Sequence, residues 1–189
     1  MRLSRINTFL LAAIVVVNTF VIITPLVPTV TFWVQHMGSK RVQQLHVRLH
    51  ASSVPVPAQN RLVVPSMMLD EPINDSKDQA TLHKGLWRLP YTSSPDKQSN
   101  TVIVGHRFTY TNPRGLFYHL DKVRVGDEIG VFWQGKKYLY KVNQTKTVPP
   151  TAVNVEAPTD LPQLTLYTCA PLWWPKDRLV ITAALEVGP

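Results

Sequence analysis

The sequence predicts an all-β barrel or sandwich carried behind a single N-terminal membrane helix. Three observations carry that expectation. Between Asn7 and Gln35 there is no charged residue, and most side chains are Leu, Ile, Val, Phe or Ala. From Arg61 onward the chain breaks into short apolar runs separated by Pro, Gly, Asn and Asp. That second part has almost no stretch with helical periodicity, and many short strands with little helix point to a barrel or sandwich.

The N-terminal run, Phe9 to Val27 or slightly beyond, reaches the roughly 20 apolar residues needed to cross a bilayer core as a helix. It is too long for the core of a cleaved signal peptide, and no small-x-small cleavage pattern follows it. Residues 9–34 are therefore expected to be a signal anchor, with residues 1–8 as a cytoplasmic tail. Pro25 and Pro28 mark where the helix stops or kinks. Arg2 and Arg5 precede the span and favour a cytoplasmic N-terminus with the rest of the chain outside.

The formal net charge of +8 divides unevenly. Residues 1–59 hold five basic residues and no acid, so the 15 Lys and Arg beyond them face all 12 acids and leave only +3. The basic character belongs in part to the membrane-proximal segment, where anionic lipid is the natural counter-charge, and no nucleic-acid patch stands out. One cysteine, Cys169, excludes an intramolecular disulfide.

After the span, Val42, Leu45 and Leu49 fall at helical spacing, and ASSVPVPAQN (51–60) has the composition of a linker. Residues 35–60 are read as an extracellular stalk and linker, and 61–189 as the folded domain. His46 and His50 stand four apart, a spacing suited to a metal on one helix face. No third ligand lies nearby in the sequence, so they are expected as two solvated histidines, with no metal ligand assigned.

In the folded part, RLVVPSMML, NTVIVGHRF, DEIGVFW, KKYLYKV, LTLYTC and RLVITAAL are strand candidates. Gln134-Gly135 suits a tight hairpin turn. RGLFYHLDKV (114–123) is expected to hold one helical turn or a short helix. Within LTLYTC, alternation sends Leu164 and Leu166 to one face and Thr165, Tyr167 and Cys169 to the other. Cys169 thus falls on the less aliphatic face at a strand end, where reactive groups are commonly displayed. A small buried thiol is the competing reading. Arg178 opens the next strand, nine residues on. If the two strands are neighbours, its guanidinium reaches the same end of the sheet and offers fixed donors to an oxyanion; a surface pair with Asp177 is the alternative. Of six histidines, His106 alone ends an apolar strand, whereas His119 lies within LFYHL and is expected to be structural.

TLYTC followed by RLVITA resembles the TLxTC motif and downstream arginine strand of sortases. NTVIVGHRF resembles their histidine strand, and FYHLDKVRVGDEIGVF the segment between. The match runs from about Arg61 to Val187. It implies an eight-stranded β-barrel and a cysteine transpeptidase on the outer face of a bacterial cell membrane, with Cys169 as nucleophile, His106 as general acid/base and Arg178 as oxyanion or substrate clamp. The implied substrates are exported proteins with a C-terminal LPxTG- or LAxTG-like sorting motif, and the acceptor is an amine of a cell-wall precursor. The implied chemistry starts from a Cys169 thiolate, with protonated His106 donating to the departing glycine amine. The loop PLWWP departs from the family pattern, and the subclass stays open, with class E-like among the candidates.

Other cysteine–histidine enzymes fit less well. Papain-like enzymes place the cysteine before the histidine, and the Ser-x-Gly-Cys pattern of L,D-transpeptidases is absent. A non-catalytic, membrane-tethered binding barrel requires a buried Cys169. A pilus-polymerising sortase is the remaining alternative, but Asp70-Glu71-Pro72-Ile73 is not the lid motif of that type, and no second span is expected after the barrel. General anchoring is the favoured role and a monomer the expected state. No cofactor is expected. The acids Asp70, Glu71, Asp75 and Asp78, which calcium activation would need, are read as a solvated loop.

Overall fold

Eight strands close on themselves in the computed structural model, which describes residues 2–36, 40–51, 54–108, 115–172 and 174–189. They are β1 (Arg61–Val64), β2 (Leu69–Asp75), β3 (Leu86–Arg88), β4 (Asn100–Val104), β5 (Glu128–Trp133), β6 (Lys136–Val148), β7 (Gln163–Ala170) and β8 (Asp177–Val187). Around the barrel the order is β1-β2-β3-β4-β7-β8-β6-β5, and β1 pairs with β5 to complete the ring. The β2–β3 and β4–β7 pairs are parallel and the rest antiparallel.

Alternation sets the inside. Leu62, Ile103, Ile129, Val131, Leu164, Leu166 and Ile181 fill the barrel, joined by Phe117 and Leu120 from the segment before β5. Strand β4 is buried at all five positions, because its outer face is also covered. A strand covered on both faces reads as a continuous apolar run rather than an alternating one, as TVIV does. Gln134 and Gly135 turn the β5–β6 hairpin with φ of 49° and 71°. Two successive positive φ values mark the mirror-image turn that matches strand twist. RLVVPSMML is two strands, not one: Pro65 cannot donate to a ladder, and a 3-10 turn at Pro65–Met67 separates β1 from β2. Strand β3 is only three residues long, too short for a periodic signal. The expected short helix at 114–123 is a turn followed by one 3-10 turn, Leu120–Lys122, with Arg114 outside the described residues.

Among the described residues, three helices precede the barrel. α1 (Arg2–Ile23) includes Ile6–Ile23, among the described residues the one stretch of helix long and apolar enough to cross a membrane, and its large apolar side chains are exposed. A turn at 24–26, at Pro25, ends it. α2 (Val27–His36) then lies against the barrel. Its Phe32 is buried with its ring centroid 4.1 Å from that of His119, Thr29 Oγ1 is 3.2 Å from the Tyr118 hydroxyl, and the Tyr118 hydroxyl donates to the Pro25 carbonyl. His119 Nε2 stands 3.2 Å from the Pro28 carbonyl, so this histidine has a packing role.

α3 (Lys40–His50) is seated on the barrel rather than standing off it. Leu45 and Leu49 pack with Val63, Phe132 and Leu139 on the outer face of β1, β5 and β6. Leu49 rests on Gly130, where any Cβ would collide with its Cδ2. Arg48 pairs with Asp70, and Lys137 Nζ donates to the Leu49 carbonyl at 2.8 Å. The segment read as a stalk therefore supplies part of the barrel's outer packing.

Candidate active site

Parallel pairing sets Val102 opposite Thr165, Ile103 opposite Leu166 and Val104 opposite Tyr167. Ile103 and Leu166 turn into the barrel, whereas Val102, Val104 and Tyr167 turn outward to meet Trp87, Leu89 and Leu82. This outer face floors a groove of about 390 Å³ whose walls include His106, Glu156, Cys169 and Arg178.

Each polar group reaches the groove by a distinct route. Cys169 is the last residue but one of β7; it is exposed, and it is the cross-strand partner of Arg178 in β8. Directly opposed residues of an antiparallel pair project to the same face, about 4.5–5.5 Å apart at Cβ. His106 lies two residues past the end of β4. Thr168 Oγ1 donates to the Gly105 carbonyl at 2.8 Å, and the Phe117 amide donates to the His106 carbonyl at 3.1 Å, so the turn carrying the imidazole is held from both sides. Gly105 permits this: a Cβ there would stand 3.0 Å from Leu86 Cδ2 and 3.1 Å from the Phe117 ring.

The ring of His106 is partly buried, and its Nε2 finds no hydrogen-bond partner among the described residues. Burial holds its pKa below the ordinary imidazole value, and the charge of His83 pushes in the same direction. His83 belongs to the 3-10 turn Gln79–Lys84, and the two ring centroids are 5.3 Å apart.

Arg178 is anchored from below. Its Nη1 lies 3.2 Å from Glu156 Oε1, and its Cζ is 4.9 Å from the centroid of the Tyr167 ring. The Tyr167 hydroxyl donates to Glu156 Oε1 at 2.7 Å, and the Tyr91 hydroxyl donates to Oε2 at 2.8 Å. Burial, and then the bond to Glu156, pushes the Tyr91 phenol up to about 12 and raises that of Tyr167 further. The surface pair with Asp177 considered from the sequence is not formed: the partner is Glu156, 22 residues upstream.

A sortase-domain family model matches residues 62–186, which is most of the chain. The chain belongs to the sortase family. Its fold is shared with sortase A from Corynebacterium diphtheriae, in a lid mutant, at 28% identity, covering 75% of this chain and 76% of that one with a TM-score of 0.63. Sortase C1 of Streptococcus agalactiae, solved as a complex with MTSET, aligns at 29% identity over 77% of this sortase and 76% of its own chain, with a TM-score of 0.62. Sortase C-1 from Actinomyces oris aligns at 26% identity over 78% and 84%, with a TM-score of 0.63. Comparison with curated protein sequences gives no match. Sortases are cysteine transpeptidases, and Cys169 is this sortase's only cysteine.

The sequence reading missed Glu156, Tyr91 and His83. Glu156 sits in a 3-10 turn, Val153–Glu156, with no periodic or motif signal to single it out. The acids read as a solvated loop are placed otherwise: Asp70, Glu71 and Asp75 lie in β2. Asp70 bridges Arg48 and Arg61, Asp75 pairs with Arg88, and Asp78 accepts from the Ala80 amide to start a 3-10 turn. Of the tryptophan pair, Trp174 is exposed and Trp173 lies outside the described residues.

Proposed function

We propose that this sortase cleaves an LPxTG- or LAxTG-like sorting motif between Thr and Gly and transfers the acyl fragment to an amine of the cell wall, with Cys169 as nucleophile, His106 as acid/base and Arg178 as oxyanion donor. One observation carries the reading. A cross-strand Cys–Arg pair and a histidine just past the end of the parallel neighbouring strand meet at one end of the barrel, on an outward groove with an apolar floor. A non-catalytic barrel would bury this thiol, and Cys169 is exposed.

The chemistry follows from the groups present. Burial holds His106 below the ordinary imidazole value, which favours its neutral form, and its buried Nε2 has no hydrogen-bond partner among the described residues. In this reading it takes the Cys169 proton as the sulfur attacks the Thr carbonyl, an alternative to the resting thiolate–imidazolium pair that the resemblance implies. The carbonyl oxygen gains negative charge and is met by the guanidinium of Arg178, whose plane is fixed by Glu156 and Tyr167. Collapse breaks the C–N bond, and His106 returns the proton to the glycine nitrogen, which leaves as an amine. A thioester on Cys169 remains. An acceptor amine attacks it, His106 takes the amine proton, and that proton restores the thiol as the new amide forms.

The N-terminal helix α1 anchors the enzyme with its barrel outside the cell membrane, within reach of exported substrates and wall precursors. The apolar groove floor suits the aliphatic start of the sorting motif. The test is transpeptidation by the full chain of an LPxTG- or LAxTG-type peptide onto a glycine-type amine, read by mass spectrometry. A new amide at Thr, dependent on both substrates, is expected; cleavage at any other bond would discard the motif assignment.

A further inference from the structure

We propose that His46, His50 and Glu128 form a binding site for a divalent transition-metal ion, zinc being the best match, which clips α3 to the barrel. His46 and His50 are four residues apart on α3 and share one of its faces. The third ligand comes from 78 residues away in sequence. Glu128 opens β5 and lies two residues before Gly130, so it projects from the same outer face on which Leu49 is seated. The docking of Leu49 thereby brings the carboxylate under the two imidazoles.

The ligand atoms of the three residues all lie within 4.8 Å of one another. Glu128 Oε2 stands 2.7 Å from His50 Nε2 and 3.7 Å from His46 Nδ1. Four-coordinate zinc with bonds of about 2.0–2.1 Å spaces its ligands roughly 3.3 Å apart, so only small rotations of these side chains close the site. Both histidine side chains are about half exposed, at 49% and 51%, which leaves them free to make that adjustment. Two imidazoles and one carboxylate form a donor set for zinc and its neighbours, not the all-oxygen shell of calcium or magnesium. A fourth position stays open to water.

The nearby charges leave Glu128 available. Lys141, its cross-strand partner, directs Nζ to Glu186 at 3.3 Å. Asp127 accepts from the Arg124 amide at 3.0 Å. The site is also separate from the groove, since β5 lies across the closed barrel from β4 and β7. Its role is structural: metal bound to α3 and β5 together opposes release of the membrane-proximal helix.

The test uses the full chain in detergent with Cys169→Ala, so that the thiol cannot ligate the metal. Zinc chloride is titrated by calorimetry, and thermal unfolding is followed with and without zinc. One zinc per chain and a raised Tm are expected, because an ion that binds the folded state stabilises it. His46→Gln, His50→Gln and Glu128→Gln should each weaken binding at least about tenfold, the lower end of what even outer-sphere changes cost. They should also remove the rise in Tm, while His83→Gln leaves both effects intact. The proposal is overturned by absence of zinc binding, by binding that survives His46→Gln with His50→Gln together, or by binding lost in His83→Gln, which would place the ion at the His83–His106 pair.

Discussion

Arg178 meets Glu156 at its edge and Tyr167 beneath its plane, and across the ladder it faces Cys169. A lysine in its place has neither the planar fork nor the stacking face, so Arg178→Lys should forfeit most of kcat/KM. The scale is on the order of 10²–10³, the usual cost of one oxyanion donor. Asp177→Ala should be mild, since the arginine is held by Glu156 instead. Glu156→Gln acts only through the orientation of Arg178 and should cost less, on the order of tenfold, falling on kcat more than KM. Steady-state kinetics of the three variants check this ranking, and near wild-type turnover for Arg178→Lys would return the arginine to a packing role. His106 gives a second test. In the proposed mechanism its neutral form starts the reaction, so protonation should inactivate, and a lowered pKa should place the acid limb of kcat/KM below about 6.5. His83→Gln removes one of the two causes of that lowering, so the limb should move to higher pH. A limb that stays in place would show that His83 does not tune His106. That Cys169, His106 and Arg178 would meet was anticipated from the resemblance of TLYTC, GHR and RLVITA, since strand position alone left a buried thiol and a surface ion pair open. Glu156 and Tyr91, which line the groove, and His83, which meets the ring of His106, were not, because they arrive from turns and loops whose approach only the fold defines.

At the level of elements, the seating of α3 on β5 is the contact with the clearest consequence. Leu49 is 1% exposed, and its place exists because residue 130 has no side chain. Gly130→Ala should push Leu49 out and cost about 1–3 kcal/mol, the range for overpacking a core. The loss should appear as a lower Tm of the full chain and vanish in a chain truncated to begin at residue 60, which has no Leu49 to displace. An equal loss in both forms would mean that the glycine serves the barrel alone. The same truncation uncovers Val63, Phe132 and Leu139, whereas a start at Lys40 keeps them covered. Size-exclusion chromatography should therefore show the shorter form associating and the longer one monomeric. Amphipathic spacing in the sequence marked α3 as a helix and left its docking surface unidentified. The reason is physical: its apolar stripe is narrow, and the seat of Leu49 depends on a glycine in a strand 81 residues away.

For the molecule as a whole, a β-barrel or sandwich was legible from strand texture, and the sortase family, with the eight-stranded barrel it implies, from TLYTC, GHR and the arginine strand. Closure of the ring, the parallel β2–β3 and β4–β7 pairs and the split of RLVVPSMML by Pro65 were not, because long-range pairing leaves no local signature. The parallel pairing matters most, since it carries His106 to the end of the barrel where the Cys169–Arg178 pair stands. Only this closed arrangement brings three residues scattered over the second half of the chain to one groove. Intact-mass spectrometry of the full chain, quenched in acid shortly after mixing with an LPxTG- or LAxTG-type peptide, tests that claim most directly. The account predicts a mass gain equal to the peptide acyl group ending at Thr, located on Cys169, absent from Cys169→Ala and discharged by an added amine. Turnover of the peptide by Cys169→Ala, or an acyl group found on any other residue, would contradict it.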